Sequence, residues 1–339
     1  MNRLRVLAAL ALAGVALAAA PVAAQTLNTV KSRGHLICGA SPGAPGFGQP
    51  DSRGEYTGLD SDHCRALAAA IFGDAKAVRF RSLTSPQRLT ALQAGEIDVL
   101  IRTTTWTYGR DVGQGLNVTG VNFYDGQGFL VRKKLGLKSA KELGGATICV
   151  TTGTTNELNL ADWARTNKIS FVPLVIEHTD ETRKAYESGR CDAYTTDASQ
   201  LAGIRTALSN PDDHVVLPDI ISKEPLGPFV RHGDDQWFDI VRWTMFALLA
   251  AEEYEVTSQN ADEMLKSTNP EVQRLLGVTG NFGKAMGLDD RWAFNAIKQV
   301  GNYGEIFERN VGQGSPLKLE RGLNALWTKG GLMYAPPFR

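Results

Sequence analysis

Along the first third of the chain, hydrophobic positions switch between the spacing of strands and the spacing of helices. The pattern predicts strands at 35–40, 77–83 and 97–102, and helices at 58–73 and 85–95. In the first helix, apolar residues recur on one buried face, with Asp60 or Ser61 as the N-cap and Gly73 as the stop. Strands and helices that alternate in this order form a parallel sheet with helix crossovers. The pattern therefore predicts an α/β fold.

The middle of the chain repeats this order of elements. It predicts strands at 146–152, 170–176 and 190–196, with helices at 154–166 and 179–189 between them. The ends of the two units align without a gap, residues 91–103 on 185–197, with Ala, Gly and Asp coinciding. The alignment places Thr103 opposite Asp197, each just past the carboxyl end of a strand, where open α/β sheets bind ligands. We therefore predict two similar lobes that face each other across a ligand site.

Two short apolar runs flanked by Gly or Pro are predicted to connect these lobes. They are GQGFLVRKK at 126–134 and EPLGPFVRHG at 224–233, and together they predict a two-strand hinge. The first lobe then consists of residues 25–128 and 229–339 and ends in a mostly helical C-terminal extension. The second lobe consists of residues 129–228, including the hinge crossings.

The octamer TTTWTYGR at 103–110 places hydroxyl and backbone N–H groups beside the guanidinium of Arg110, a combination that suits a carboxylate. Asp197 offers a carboxylate from the other lobe, so an α-amino acid would satisfy both sides. The run TTGTT at 151–155 adds a helix N-terminus, which also favours an anion. Two ordinary interpretations stay open: the octamer as a strand edge with a solvated arginine, and Asp197 as a simple helix cap.

The first 24 residues have the layout of a secretory signal peptide. Arg3 and Arg5 precede a Leu/Ala-rich run, and Pro21 leads to a cleavage site after Ala24. This layout predicts a periplasmic protein that has been secreted across the inner membrane. Without the two arginines, 34 basic and 36 acidic residues remain, a formal charge of −2. Such a balance gives no support for nucleic-acid or anionic-membrane binding.

Export makes the four cysteines candidates for disulfide bonds, and four cysteines allow three pairings. Pairing within each repeat joins Cys38 to Cys64 and Cys149 to Cys191, which is the arrangement we predict. Buried free thiols are the alternative. Metal ligation is poorly supported, because the cysteines lie far apart in the sequence and the five histidines are scattered.

Four stretches resemble periplasmic substrate-binding proteins of amino-acid ABC transporters, most closely the general L-amino-acid-binding subgroup. They are GLDSDHCRALAAAIFGDA (58–75), TTWT (104–107), NFYDGQGFLVRKK (122–134) and SKEPLGPFVRHGDDQWFDIVRWT (222–244). The resemblance covers essentially all of the mature chain. It implies a two-lobed periplasmic-binding-protein fold of type II in solute-binding protein family 3. It also implies an L-amino acid as ligand, and an inner-membrane ABC permease with its ATPase as partners.

The wider family's Thr-x-Thr-x-x-Arg motif falls on residues 105–110 of this chain. The resemblance implies that Arg110 clamps the α-carboxylate of the ligand with help from Thr105. It also implies that Thr103 offers its backbone carbonyl to the α-ammonium. The remaining family positions, the acid of the second lobe and the carboxylate-binding turn, fall on Asp197, Thr154 and Thr155.

The chain departs from its subgroup at Thr103, where asparagine is more common. This departure concerns ligand preference and not ligand class. Related binders of basic amino acids have an acid near Ser41 and an aromatic residue near Ala44, and neither is present here. Their absence from the sequence argues against a site dedicated to lysine, arginine or histidine. Phe47 and Tyr56 are candidate walls of the side-chain pocket.

Other functions are compatible with parts of the sequence. GASPG at 39–43 matches the nucleophile elbow of serine hydrolases, but Pro42 lacks the N–H that an oxyanion hole needs. A periplasmic dehydratase, such as a cyclohexadienyl dehydratase, uses the same two-lobed fold and needs a further acid or base in the cleft. An amino-acid sensing module for a membrane receptor would use the same ligand site. We expect a binding protein without catalytic residues, cofactor or metal.

Overall fold

Short strands and helices alternate along residues 26–339, the part of the chain that a computed structural model describes. The predicted signal peptide and its cleavage site lie outside the described residues. The strands are β1 (Leu36–Ala40), β2 (Gln49–Pro50), β3 (Tyr56–Thr57), β4 (Val78–Ser82), β5 (Val99–Leu100), β6 (Leu116–Val118), β7 (Phe123–Asp125), β8 (Gln127–Arg132), β9 (Thr147–Thr151), β10 (Val172–Ile176), β11 (Ala193–Asp197), β12 (His214–Val216), β13 (Glu224–Leu226) and β14 (Phe229–Arg231). The α-helices are α1 (Thr26–Arg33), α2 (Leu59–Phe72), α3 (Gln87–Gln93), α4 (Tyr108–Asp111), α5 (Thr155–Asn167), α6 (Thr179–Glu187), α7 (Ala198–Thr206), α8 (Asp235–Glu253), α9 (Ala261–Met264), α10 (Pro270–Leu275), α11 (Phe282–Ala285), α12 (Trp292–Val300) and α13 (Tyr303–Asn310). Short 3-10 segments are formed by Lys133–Leu135, Ala140–Glu142, Pro211–Asp213, Gly322–Asn324 and Trp327–Lys329.

Two five-stranded sheets organise the molecule, one in each lobe. The first sheet has the strand order β4-β1-β5-β14-β6, and the second has the order β10-β9-β11-β8-β12. In each sheet the first three strands are parallel, and the fourth runs antiparallel to the third. Parallel neighbours need crossover connections, which helices α2, α3, α5 and α6 provide here. The predicted α/β fold with two similar lobes and helix crossovers is confirmed.

The repeat that is visible in the sequence is also present in the hydrogen bonds. The Oδ2 atom of Asp98 accepts from the backbone N–H of Ile37 at 2.7 Å. The aligned Asp192 accepts from the backbone N–H of Thr147 at 2.8 Å through the same atom. Each aspartate thus ties the start of the third strand of its sheet to the neighbouring strand. The residues that follow these strands therefore reach equivalent edges of the two sheets.

Strands β7 and β13 connect the two lobes as an antiparallel pair, with Asp125 opposite Glu224 and Phe123 opposite Leu226. The two-strand hinge is therefore confirmed, but its first strand precedes the run 126–134 that the sequence suggested. That run is mostly β8, a strand within the second sheet whose residues are almost all buried. Its continuous apolar character reflects burial on both faces of a sheet and not an exposed connection.

The C-terminal part of the chain enlarges the first lobe and reaches the hinge. Helix α12 packs against α2 and α8, and apolar side chains of α8, α12 and α13 continue the core of the first lobe. The predicted helical extension is confirmed as far as Asn310, and turns and 3-10 segments follow it. The side chain of Asn324 accepts from the N–H of Tyr124 at 2.6 Å and donates to its carbonyl at 3.0 Å. The extension is thus bonded directly to hinge strand β7.

Both predicted disulfide bonds are present, one in each repeat. Cys38 of β1 is bonded to Cys64 of α2, and Cys149 of β9 is bonded to Cys191, which lies just before β11. All four cysteines are buried. Each bond therefore fixes a strand of one sheet to an adjacent element. Within residues 26–339, no helix combines the length and hydrophobicity that crossing a bilayer requires.

Candidate ligand-binding site

A polar cavity lies between the lobes, at the carboxyl ends of β1, β5, β9 and β11. Its first-lobe lining consists of Ser41, Ser85, Arg88, Arg102, Thr103 and Thr105. Its second-lobe lining consists of Thr151, Thr154, Thr155, Asn156, Thr179, Tyr194, Thr196, Asp197 and Gln200. The cavity has a volume of about 30 Å³, so it is narrow. Its position agrees with the general rule for open α/β sheets.

The lobes contact each other around this cavity. The Oγ1 atom of Thr84 donates to Glu177 Oε1 of the second lobe at 2.9 Å. The hydroxyl oxygens of Thr105 and Thr155 lie 3.3 Å apart. A Cβ atom added to Gly203 would come within 2.8 Å of the carbonyl oxygen of Pro45, so the backbones approach closely there. The cleft is therefore closed over the cavity.

The threonine loop, residues 103–107 between β5 and α4, is held from two sides. The backbone N–H of Thr103 donates to Asp60 Oδ2 at 2.8 Å, and Thr105 forms a bridge to Leu226 of hinge strand β13. Thr103 has a φ of +37°, a conformation that is uncommon for a β-branched residue. Strain of this kind persists only where the surroundings enforce it, and it concentrates at functional sites. The structure thus fixes Thr103 at the cavity wall at a conformational cost.

Asp60 supports this loop and does not act as the predicted helix cap. Helix α2 begins after Gly58, and Asp60 lies inside its first turn. Its carboxylate also accepts from Asn122 Nδ2 at 3.0 Å. Burial raises the pKa of Asp60 to about 6, although the bonds from Thr103 and Asn122 and the charge of Arg102 act against the rise. The capping prediction failed because the carboxylate is used by a loop that is distant in the sequence.

Arg110 lies beside the cavity and not in its lining. It belongs to the short helix α4, and its Nη1 atom donates to the carbonyl oxygen of Thr105 at 2.9 Å. The residue is buried. Burial lowers the pKa of Arg110, while the negative charges of Glu224 and Asp197 act in the opposite direction. Arg110 and Thr105 are therefore brought together as the sequence suggested, and the solvated-arginine interpretation does not describe this residue.

Two other arginines line the cavity, and sequence reasoning missed both. Arg102 donates from Nε to the carbonyl of Leu83 at 2.9 Å and from Nη2 to Ser85 Oγ at 3.3 Å. Arg88 makes only a long contact, from Nη1 to the carbonyl of Thr103 at 3.4 Å, and its Nε has no partner among the described residues. A signal for Arg88 existed in the sequence, because helical spacing puts it on the buried face of α3.

Asp197 is the last residue of β11 and reaches the cavity from the second lobe. It stands at the N-cap position of α7, but its carboxylate is turned to side chains and not to the helix backbone. Oδ1 accepts from Asn156 Nδ2 at 2.9 Å, and Oδ2 accepts from Gln200 Nε2 at 3.3 Å. Burial and the nearby carboxylates of Asp125 and Glu224 raise the pKa of Asp197 well above its usual range. A cation at this position would favour the ionised form.

Glu224 is a second acid in the cleft that the sequence did not reveal. It lies on hinge strand β13 and is 1% exposed. Its carboxylate accepts hydrogen bonds at 2.5–2.8 Å from Thr105, Thr155, Asn159 and Ser222. These four donors occupy most of what a carboxylate can accept. Glu224 therefore joins the threonine loop to helix α5 of the second lobe, and its oxygens are already engaged.

The predicted carboxylate-binding turn lies at the cavity, whereas the two predicted pocket walls do not. Thr154 and Thr155 both line the cavity at the start of α5, where Thr154 is the N-cap. Phe47 and Tyr56 do not line it. The ring of Phe47 packs edge-on against Phe123, and that of Tyr56 stacks on Phe80. These rings bury their apolar surface in the first lobe, which is more favourable than facing a polar cavity.

Comparisons with known proteins agree with this architecture. Residues 36–260 match the family of bacterial extracellular solute-binding proteins, family 3. The chain is 55% identical to the general L-amino acid-binding periplasmic protein AapJ of Rhizobium johnstonii, over 98% of both chains. It is also 55% identical to the glutamate/glutamine/aspartate/asparagine-binding protein BztA of Rhodobacter capsulatus, over 96% of both chains. The structure of an ABC transporter periplasmic binding protein from Brucella ovis with glutathione bound is 57% identical, with a TM-score of 0.91; the match covers 93% of this chain and 99% of that one.

Proposed function

The chain belongs to the bacterial extracellular solute-binding proteins of family 3, and from this premise we propose that it captures L-amino acids for an ABC transporter. One observation carries the proposal. Cationic and anionic side chains face one narrow cavity from opposite lobes, as a zwitterionic ligand requires. The ligand would be held chiefly by its α-carboxylate and its α-ammonium.

Each end of the ligand has a set of candidate partners. Arg110 beside the cavity, together with Thr105 and the start of α5 at Thr154 and Thr155 in its lining, would form the carboxylate side, since guanidinium, hydroxyl and helix N-terminal N–H groups all favour an anion. Asp197 and the carbonyl of Thr103 form the ammonium side. Recognition through these shared groups leaves the side chain weakly specified, which is consistent with a broad range of amino acids.

The relatives support this ligand class. The Rhizobium protein is named for binding L-amino acids in general, and the Rhodobacter protein for binding glutamate, glutamine, aspartate and asparagine. Glutathione, bound in the Brucella structure, is a γ-glutamyl peptide that keeps a free α-carboxylate and α-ammonium at one end. The same pair of groups would therefore hold both kinds of ligand.

Delivery follows from the compartment that the sequence predicts. After cleavage near Ala24 the protein would act in the periplasm, and a permease with its ATPase in the inner membrane would receive the closed, loaded form. Closure around the two-strand hinge would distinguish loaded from empty protein. A sensing module would present the same difference to a membrane receptor, and it is the alternative to transport.

Native mass spectrometry of the purified protein tests the ligand class, followed by calorimetry with glutamate, glutamine and leucine. We expect a co-purified amino acid and saturable binding of more than one of the three. Failure of every tested amino acid to bind would contradict the proposal. Incubation with prephenate or arogenate is the control for the dehydratase alternative, because turnover of either would make the protein an enzyme.

A further inference from the structure

We propose that Glu224 is a positioning residue that makes closure of the cleft depend on the alignment of the two lobes. Its carboxylate would hold one hydroxyl group from each lobe at the cavity wall, and both hydroxyl groups must be in place before the closed form is stable. The inference rests on the proposed function and deepens it, because it assigns the control of closure to a hinge residue that does not itself line the cavity.

A single oxygen atom of Glu224 joins the two lobes. Its Oε2 accepts from Thr105 Oγ1 of the first lobe at 2.5 Å and from Thr155 Oγ1 of the second lobe at 2.8 Å. An O–H···O hydrogen bond extends to about 3.0 Å, so one oxygen can hold both hydroxyl groups only while they lie within about 6 Å of each other. Here their oxygens lie 3.3 Å apart. Opening that separates them further must therefore break one of the two bonds.

The other oxygen of Glu224 anchors the carboxylate to the second lobe. Oε1 accepts from Asn159 Nδ2 at 2.7 Å and from Ser222 Oγ at 2.6 Å. Glu224 itself lies on β13, one of the two strands that connect the lobes. Closure about this hinge would bring Thr105 to an acceptor whose position is already fixed.

The surroundings of Glu224 make these bonds necessary in the closed form. The residue is 1% exposed, and within residues 26–339 it takes part in no ion pair. Burial raises the pKa of Asp197, and the charges of Asp125 and Glu224 add to the rise, so three acids lie near one another beside the hinge. A buried carboxylate that lacks its donors is strongly disfavoured. The closed form would therefore be stable only when both hydroxyl groups reach Glu224.

The same bonds limit what Thr105 and Thr155 offer to the ligand. A hydroxyl group has one hydrogen, and in the closed form both hydrogens are donated to Glu224. The ligand carboxylate would then be held by the guanidinium of Arg110 and by backbone N–H groups at the start of α5. The two hydroxyl groups would contribute to affinity through closure, whatever the side chain of the ligand.

Calorimetry and stopped-flow measurements with glutamate, glutamine and leucine test the inference in wild type and Glu224→Gln. The amide keeps the shape of the side chain and one acceptor oxygen, but it removes the charge. We expect all three ligands to lose affinity by the same factor, roughly 10-fold, the lower end of the range for one charge-assisted hydrogen bond. The loss should appear in the dissociation rate, because the ligand enters the open form, in which one of the two bonds is already broken.

Asn159→Leu provides a test that leaves the cavity lining intact. Asn159 donates to Glu224 but does not line the cavity, so direct contact with the ligand cannot explain an effect of this substitution. We expect a smaller loss of affinity that is again equal for the three ligands. Combining it with Glu224→Gln should add little, because both changes weaken the same group of contacts. Fully additive losses would overturn the inference.

Glu252→Gln is the matched control. Glu252 pairs with Arg321 at 3.0 Å within the first lobe and outside the cavity, so its substitution should leave all three affinities unchanged. In Glu224→Gln, unchanged affinities or a loss confined to one ligand would overturn the inference. Tighter binding would also overturn it, by showing that Glu224 competes with the ligand carboxylate for the two hydroxyl groups. If Glu224→Gln does not fold, the comparison of the three ligands in Asn159→Leu decides. Wild-type protein that binds none of the three ligands would contradict the proposed function itself.

Discussion

Replacing Asp197 with asparagine tests the assignment of the ammonium end most directly. The substitution keeps the size of the side chain and its carbonyl oxygen, which can still accept from Asn156. It removes the negative charge that would face the ligand ammonium. The residue is 3% exposed, so water cannot replace that charge in the closed cleft. We expect Asp197→Asn to fold normally and to bind amino acids far more weakly.

The size of the effect follows from two opposing terms. Leaving a buried charge without its partner costs about 3–5 kcal/mol. In wild type, however, Asp197 must be ionised to pair with the ammonium, and burial and the charges of Asp125 and Glu224 disfavour that ionised form. This cost offsets part of the free energy that the ion pair contributes to binding. We therefore expect the lower end, about 3 kcal/mol, which corresponds to a roughly 100-fold rise in Kd. The empty variant should be at least as stable as empty wild type.

The raised pKa of Asp197 also predicts a pH dependence with a definite sign. In the empty protein, the protonated form contributes stability that is fully present below the usual pKa of 3.8 and is lost as pH rises through the raised value. The ligand ammonium instead needs the ionised form, so binding should release protons. Affinity for leucine, whose side chain does not titrate, should rise as the pH increases from 3.8 through the raised pKa of Asp197, and it should then level off. In Asp197→Asn this dependence should disappear.

Calorimetry with leucine and with its 2-oxo analogue separates the charge effect from general damage. Wild type should prefer leucine, whereas Asp197→Asn should lose affinity for leucine and change little toward the analogue. Asp192→Asn is the control, since it removes an equal charge from the other end of the same strand, where the carboxylate holds the backbone N–H of Thr147. Equal losses for both ligands, or unchanged binding of leucine, would show that the ammonium is bound elsewhere. Small-angle scattering with saturating leucine should show an open variant and a closed wild type.

The remaining predictions concern the clamp, one disulfide and the hinge. Arg110→Lys should weaken amino-acid binding by about 1.5–3 kcal/mol in calorimetry, because an ammonium cannot reproduce the planar fork; unchanged affinity would contradict the clamp. Removing the Cys149–Cys191 bond by a double serine substitution should lower the free energy of unfolding by roughly 4 kcal/mol in urea titrations, whereas an unchanged midpoint would mean that the bond does not constrain the unfolded chain. Asn324→Ala should cost about 1–3 kcal/mol of stability by leaving the backbone of Tyr124 without its two partners, and equal urea midpoints for variant and wild type would show that water replaces them.

The fold could be predicted because both lobes use the same residue types to end a helix and to hold the strand that follows it. Gly95 and Gly189 both end a helix with a positive φ, +75° and +85°, a conformation that favours glycine. Three residues later, Asp98 and Asp192 hold equivalent strands. Requirements of this kind act over a few residues, so they leave a matching signal in the sequence. The position of Thr103 and Asp197 followed from that alignment.

Glu224 and Arg88 could not be assigned in the same way, because their surroundings come from distant parts of the chain. Glu224 contacts Thr105 and Thr155, which are 119 and 69 residues away in the sequence. The sequence around position 224 does not indicate those partners. Arg88 resembles an exposed arginine of an amphipathic helix until its spacing to the buried Ala91 is considered. Local pattern identifies which face is buried, but it does not say what an arginine on that face meets.

The electrostatics of the closed cleft explain why closure would depend on both ends of a ligand. Burial lowers the pKa of Arg110 and Arg88 and raises that of Asp197 and Asp125, so the closed, empty cleft disfavours the charged form of groups of both signs. A carboxylate alone would relieve only the arginines, and an ammonium alone would relieve only the acids. Under the proposed function, an α-amino acid relieves both at once. The free energy that opposes closure of the empty protein is then the same term that makes closure selective for a zwitterion.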